Sequence, residues 1–157
     1  MIKLGVNSVL FKKYTFREAA EAIKKCGYDG VEISGIAGMC EHLNLADWKN
    51  QKAELIAIRE ELDLPFLSTE VASQDRDRLN TAFEACAEIG FPIVNIVPGG
   101  QMNNEETMVQ SLQTIQMLAE DAEKYAEKVA AAEQREADRI AKRAEKAAKA
   151  AAKSEQE

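Results

Sequence analysis

Histidine occurs once in this 157-residue chain, cysteine and proline three times each, and aromatic residues make up only 6%. With His42 alone, the spaced histidine pairs of zinc sites (HxxxH, HExxH) are excluded, and no CxxC occurs. Cys26, Cys40 and Cys86 are odd in number and far apart. That fits reduced thiols better than a disulfide framework. No serine or cysteine has a base partner in a recognisable context, so a nucleophilic triad has no support. Phosphate-cradling glycine motifs are also missing: Asn7, Ser8, Val9, Leu10 and Phe11 follow the first strand pattern, without GxGxxG or GxxxxGK[ST]. Basic charge is in deficit, with 20 Lys and Arg against 27 Asp and Glu for a net charge of -7. No basic patch stands out, which argues against nucleic acid or an anionic membrane surface as a partner. No apolar run approaches the roughly 18 residues of a membrane span. The first residues lack the charged, apolar and cleavage-site regions of a leader, so the expectation is a soluble, cytoplasmic protein.

What is present is a repeated alternation. A β-rich run at 3–8 ends in Asn7 and Ser8, and Thr15 with Glu18 forms a capping box for a first helix. Phe16, Ala19, Ala20, Ile23 and Cys26 recur at helical spacing, and Gly27 supplies the left-handed position that ends the helix. A strand at 30–34 follows. A second helix starts at Asp47, buries Trp48, Leu55, Ile58 and Leu62, and is stopped by Asp63 and Pro65. The third strand spans 66–71. Ser73 or Asp75 caps a third helix carrying Leu79, Phe83, Cys86 and Ile89, closed by Gly90. The fourth strand, 92–97, is apolar almost throughout, as expected when both faces are covered. Asn103 and Glu106 offer a capping box for a fourth helix.

The stretch from Gly27 to Ile33 repeats from Gly90 to Ile96: a helix-ending glycine, an aromatic, two linking residues, then a strand with one polar residue between aliphatics. The repeat puts Glu32 and Asn95 at equivalent strand positions. Strict alternation of strand and helix implies right-handed crossovers and a parallel sheet, either an open doubly wound sheet or a sector of a barrel. Without a glycine-rich first turn the sector is favoured. The fold class is therefore α/β: four βα units of a partial (β/α)8 TIM barrel, a half barrel at 1–125, then an Ala/Glu/Lys helix at 126–157. In that tail Glu120 and Lys124 are spaced for an ion pair, and alanines between 137 and 151 form a narrow seam, fitting either a solvated helix or a weak docking helix.

The segments IKLGVNS, KKCGYDGVEIS, STEVASQDRDRL and AEIGFPIVNIVPGG together resemble the first half of the sugar phosphate isomerase/epimerase family, in the xylose isomerase-like TIM barrel superfamily. The resemblance covers about residues 1–125 and is most specific in GYDGVEIS. It implies isomerisation or epimerisation of a small sugar or sugar phosphate by proton abstraction next to a carbonyl, assisted by a divalent metal (Mn, Mg, Co or Zn). In the family the ligand cage and acid/base pair come mainly from later strands, which this sequence does not show. No metal ligand is assigned here, and weak or no activity is expected of a single copy. The candidates at the barrel mouth are Glu32, His42 and Glu70 for catalysis, with Asn7, Asn95, Gly99 and Gly100 for substrate binding. Each has a plainer reading: an internal ion pair for Glu32, a rim cap or salt bridge for Glu70, a histidine packed on the second helix for His42, a tight turn for the glycines. A four-stranded sector leaves two open edges, so a homodimer or a partner completing the barrel is expected. A non-catalytic structural half barrel and a sugar- or phosphate-binding module are the alternative functions.

Overall fold

The computed structural model describes residues 2–154, with side chains through residue 131 and, beyond it, at 134, 137 and 141. Its elements run β1 (Gly5–Asn7), a 3-10 turn (Ser8–Phe11), α1 (Phe16–Lys25), β2 (Gly30–Ile36), β3 (Cys40–Glu41), α2 (Trp48–Glu61), β4 (Phe66–Glu70), α3 (Arg76–Ile89), β5 (Val94–Asn95) and α4 (Glu105–Ser154). The sheet is parallel in the order β1-β2-β4-β5, and β3 folds back antiparallel on the end of β2. Strand order thus follows chain order, without the reversal that defines a doubly wound sheet. With right-handed crossovers the helices gather on one face and leave the other open.

Local chemistry sets the boundaries. Thr15 accepts from the Glu18 amide at 3.3 Å while the Glu18 carboxylate accepts from Thr15 N–H at 2.8 Å, so the expected capping box starts α1. Asp75 accepts from Arg78 N–H at 2.7 Å, and Ser73 caps the turn before it by accepting from Asp75 N–H. Gly27 (φ 81) and Gly90 (φ 95) take the left-handed conformation expected of both. At α4 the expectation needs correcting. Asn103 adopts a left-handed turn (φ 60), and Asn104 is the cap, accepting from Thr107 N–H at 3.2 Å. Two adjacent asparagines divide the tasks of turning and capping, both suited to a short amide side chain.

The core lies between the sheet and the helices. Phe16, Ala20 and Ile23 of α1, Trp48, Leu55 and Ile58 of α2, and Leu79, Phe83, Cys86 and Ile89 of α3 close over Val31, Ile33 and Phe66. Full burial of each large apolar side chain stabilises the fold by roughly 1.5–3 kcal/mol. Cys26, expected on the buried face of α1, is exposed instead, because it is the C-cap residue and lies past the last packed turn. The fourth strand also departs from expectation. Only Val94 and Asn95 are paired, and Ile93 and Val97 are 54% and 40% exposed. By alternation from Val94, which faces the helices, Ile93 and Val97 lie on the open side of the sheet.

From Leu118 to Val129, α4 continues the packing of the fourth unit: Leu118 is buried, and Ala122 and Tyr125 rest against the core. The alanine seam at 137–151 lies mostly outside the described side chains. Lys124 pairs with Asp121 at 2.9 Å rather than with Glu120, since Asp121 is already fixed by Arg76 of α3 through two hydrogen bonds of 2.7 and 3.1 Å. Arg76 and Lys124 together hold the buried Asp121 carboxyl well below the usual carboxylate range. A depressed folded value contributes stability above the unfolded aspartate value of about 4 and loses it as pH falls further. Asp121→Asn is expected to lower the melting temperature at pH 7. The gap from the wild type should narrow as pH drops below about 4, as followed by thermal melts across pH; a gap constant with pH would show that the ion pair is not its source.

Candidate functional site

The open face of the sheet carries a hydrogen-bonded polar cluster. Asn7 ends β1, Glu70 ends β4 and Asn95 ends β5, while Glu32 lies inside β2. The Asn7 side-chain amide donates to Glu32 Oε2 at 2.7 Å and to Glu70 Oε2 at 2.6 Å. Its Oδ1 accepts from Val9 N–H at 2.8 Å, which fixes the orientation of the amide. Ser68 donates to Glu32 Oε1 at 2.8 Å, and the Asn95 amide donates to the same oxygen. Glu32 and Glu70 therefore stand side by side, bridged by one nitrogen, at the C-terminal side of the parallel strands. That is where open and closed α/β sheets bind ligands.

Register explains the convergence. Val31 pairs with Phe66, but Glu32 pairs with Ser68 and Ser34 with Glu70, so Leu67 is an extra residue in β4. The shift turns Ser68 and Glu70 onto the face of Glu32. Leu67 lies on that face too, beneath Gly5 and Gly30: a Cβ on Gly30 would come within 2.6–2.9 Å of the Leu67 side chain. The two glycines thus leave room for an apolar plug at the base of the polar cluster.

His42 does not join this group. It is buried, with Nε2 3.0 Å from the Tyr14 carbonyl and Nδ1 3.0 Å from Ser8 Oγ. A carbonyl only accepts, so Nε2 carries the proton and Nδ1 accepts from the Ser8 hydroxyl, which in turn accepts from Ser34 N–H at 2.9 Å. Its ring packs on Phe16 of α1 at 5.8 Å between centroids. The ring ties the loop after β3 to the end of β1. Gly99 and Gly100 sit in the loop before α4 with φ of 68 and 76. Gln74 donates to the carbonyls of Val97 and Pro98 and Ser111 to that of Pro98, pinning this loop. Glu105 and Glu106 occupy the first turn of α4, where their charge opposes an anionic ligand.

Two neighbours of the cluster went unread in the sequence. Ser68 is reached only through the register shift. Arg78, in the first turn of α3, donates to the Gly35 carbonyl at 2.8 Å at the end of β2 and lies 3.6 Å from Glu41, placing a guanidinium at the rim. Its position in STEVASQDRDRL, three residues past the N-cap Asp75, was the available signal. Cys86 is no nucleophile: burial pushes its thiol up to about 12, leaving almost no thiolate at neutral pH. Among the described residues no three or more His, Cys, Asp or Glu side chains converge in a way that would hold a metal ion. Two carboxylates alone therefore do not fit the divalent ion that the family resemblance implies.

No family model matches the chain, and no curated protein matches it in sequence. Among solved structures it is similar to the apo form of the 3-keto-D-glucoside 4-epimerase YcjR from E. coli, with a TM-score of 0.55 and 18% sequence identity. The match covers 78% of this chain and 53% of that one, so the chain spans about half the length of this relative. At such identity the likeness is one of fold: an α/β architecture shared with a sugar epimerase. No helix among the described residues is long and apolar enough to cross a membrane.

The glycine–leucine arrangement makes a direct test. Gly30→Ala should destabilise the protein by roughly 1–3 kcal/mol through overpacking, measured by urea unfolding. Adding Leu67→Ala should recover part of that loss, and strictly additive losses would show that Leu67 is not what Gly30 accommodates.

Proposed function

We propose that the cluster of Asn7, Glu32, Ser68, Glu70 and Asn95 is the substrate site of a sugar isomerase/epimerase-like protein. The observation that carries this reading is the convergence of two carboxylates and two amides, from four adjacent parallel strands, on one open face. Carboxamides and a serine hydroxyl are suited to bonding sugar hydroxyls, being both donors and acceptors. A carboxylate next to a bound carbonyl sugar is suited to taking the proton from the adjacent carbon. Glu32 and Glu70 are the candidate bases. Standing side by side on one face of a bound sugar, they suit removal of a proton from one carbon and its return to the neighbouring carbon on that same face, as aldose–ketose isomerisation requires. Arg78 at the rim provides positive charge for a phosphate or an enediolate oxygen.

The sequence resemblance and the fold likeness to a 3-keto-D-glucoside 4-epimerase both support the sugar class. His42 has no part in the chemistry on this reading, because both ring nitrogens are engaged. It is a positioning residue for the loop behind Asn7.

The test is proton exchange. Incubated in D2O with a panel of small ketoses, aldoses, keto-sugars and their phosphates, the protein should incorporate deuterium next to the carbonyl of at least one, seen by NMR. Glu32→Gln and Glu70→Gln should each slow exchange about 10²–10⁴-fold, the usual contribution of a general base. Thermal stabilisation by a sugar without exchange would replace catalysis by binding alone, and neither effect with any sugar would overturn the reading.

A further inference from the structure

Both edges of the sheet end in exposed apolar surface, and the two edges differ in a complementary way. At one end β1 carries Gly5 and Asn7 on the open face, so Val6 faces the helices, opposite Val31 in the register. Continuing the alternation, Leu4 and Ile2 share the side of Val6, yet they are 63% and 90% exposed. At the other end, α3 and α4 pack on each other above the helix-facing side of β5. They leave a groove of about 840 Å³ lined by apolar side chains including Phe91, Val94, Ile96, Ile115 and Leu118, with the exposed Ala119 at its wall. One edge thus presents an exposed apolar stripe, and the other an apolar groove.

We propose that a second copy of this chain completes the sheet, β1 of each copy pairing in parallel with β5 of the other, and that the site is complete only in this pair. A two-fold axis along the strands makes both joints parallel and both identical. The four strands in chain order then become eight in a closed ring, the number at which a barrel of this type shuts. Placing β1 against β1 would give an antiparallel joint and leave β5 open. In the proposed joint, Leu4 and Ile2 of one copy enter the groove under α4 of the other. That fit selects a second copy as the occupant: β1 offers an open parallel edge with an apolar stripe on the helix side, and β5 an open parallel edge beside an apolar groove.

Closure also changes the site. The cluster of one copy lies on an open face where Asn95 is exposed. In the ring it faces the second copy's Asn7, Glu32, Glu70 and Asn95 across a shared interior, gaining a second pair of carboxylates and a wall that excludes water. This last point rests on the proposed function of the cluster, whereas the pairing does not.

Light scattering coupled to size separation tests the pairing on the full chain at tens of micromolar. The wild type should weigh twice 17.3 kDa. Leu4→Glu and Ala119→Glu alter exposed positions at the two halves of the joint, and each should halve the mass while far-UV circular dichroism is retained. The double variant Leu4→Lys with Ala119→Glu should restore the pair. A wild type of single mass, growth without limit, or a pair indifferent to both substitutions would each overturn the proposal. A single-mass wild type that still exchanges substrate protons would sink the ring and leave the sugar site standing; a pair without exchange would do the reverse.

Discussion

Where β2 meets β4 the pairing slips by one residue after Val31, and the polar face of the sheet depends on that slip. In an unbroken ladder Glu32 would face Leu67, and strict alternation would give the open face to Leu67 and Thr69. Ser68 and Glu70 would then point into the helix-packed core. A carboxylate there would meet neither water nor a partner, a costly arrangement. With the extra residue, Thr69 is the one turned inward, fully buried with its hydroxyl on the Ile33 carbonyl at 2.7 Å. Glu70 comes to the surface beside Glu32. The irregularity keeps the core apolar and gathers the acids on one face at the same time.

Two adjacent glutamates would repel each other without donors between them. The amide of Asn7 lies between the two, and Ser68 and Asn95 reinforce Glu32 from the far side. Hydrogen bonds to charged acceptors are the stronger kind, so this small set of donors offsets much of the repulsion. Below it, Leu67 fills the space that Gly5 and Gly30 leave free, giving the polar layer an apolar floor. A substrate hydroxyl would compete with the same donors, which makes the site responsive to a ligand that offers replacements.

Much of this was legible in the sequence because it follows from local chemistry. The capping box at Thr15, the glycines at 27 and 90, and the helical stripes through Ile23, Ile58 and Leu79 obey short-range rules, and the structure shows them. The internal echo placed Glu32 and Asn95 at equivalent positions, and they do meet. What escaped depends on pairing between distant segments. A register shift leaves no signature in one strand alone, so Ser68 went unseen. His42 reads in sequence as a loop histidine, and only the fold brings Ser8, Tyr14 and Phe16 around it. β5 reads as a covered strand because apolar content does not reveal which face of the sheet the helices leave open.

The fourth helix runs unbroken from Glu105 to Ser154, 50 residues. At 1.5 Å per residue it extends about 75 Å, more than twice the width of a small domain. A body with such a spar tumbles faster about the rod than across it. Its amide relaxation and fluorescence anisotropy will depend on the angle each bond makes with the helix axis, so the same local rigidity will look different on β2 and on α4.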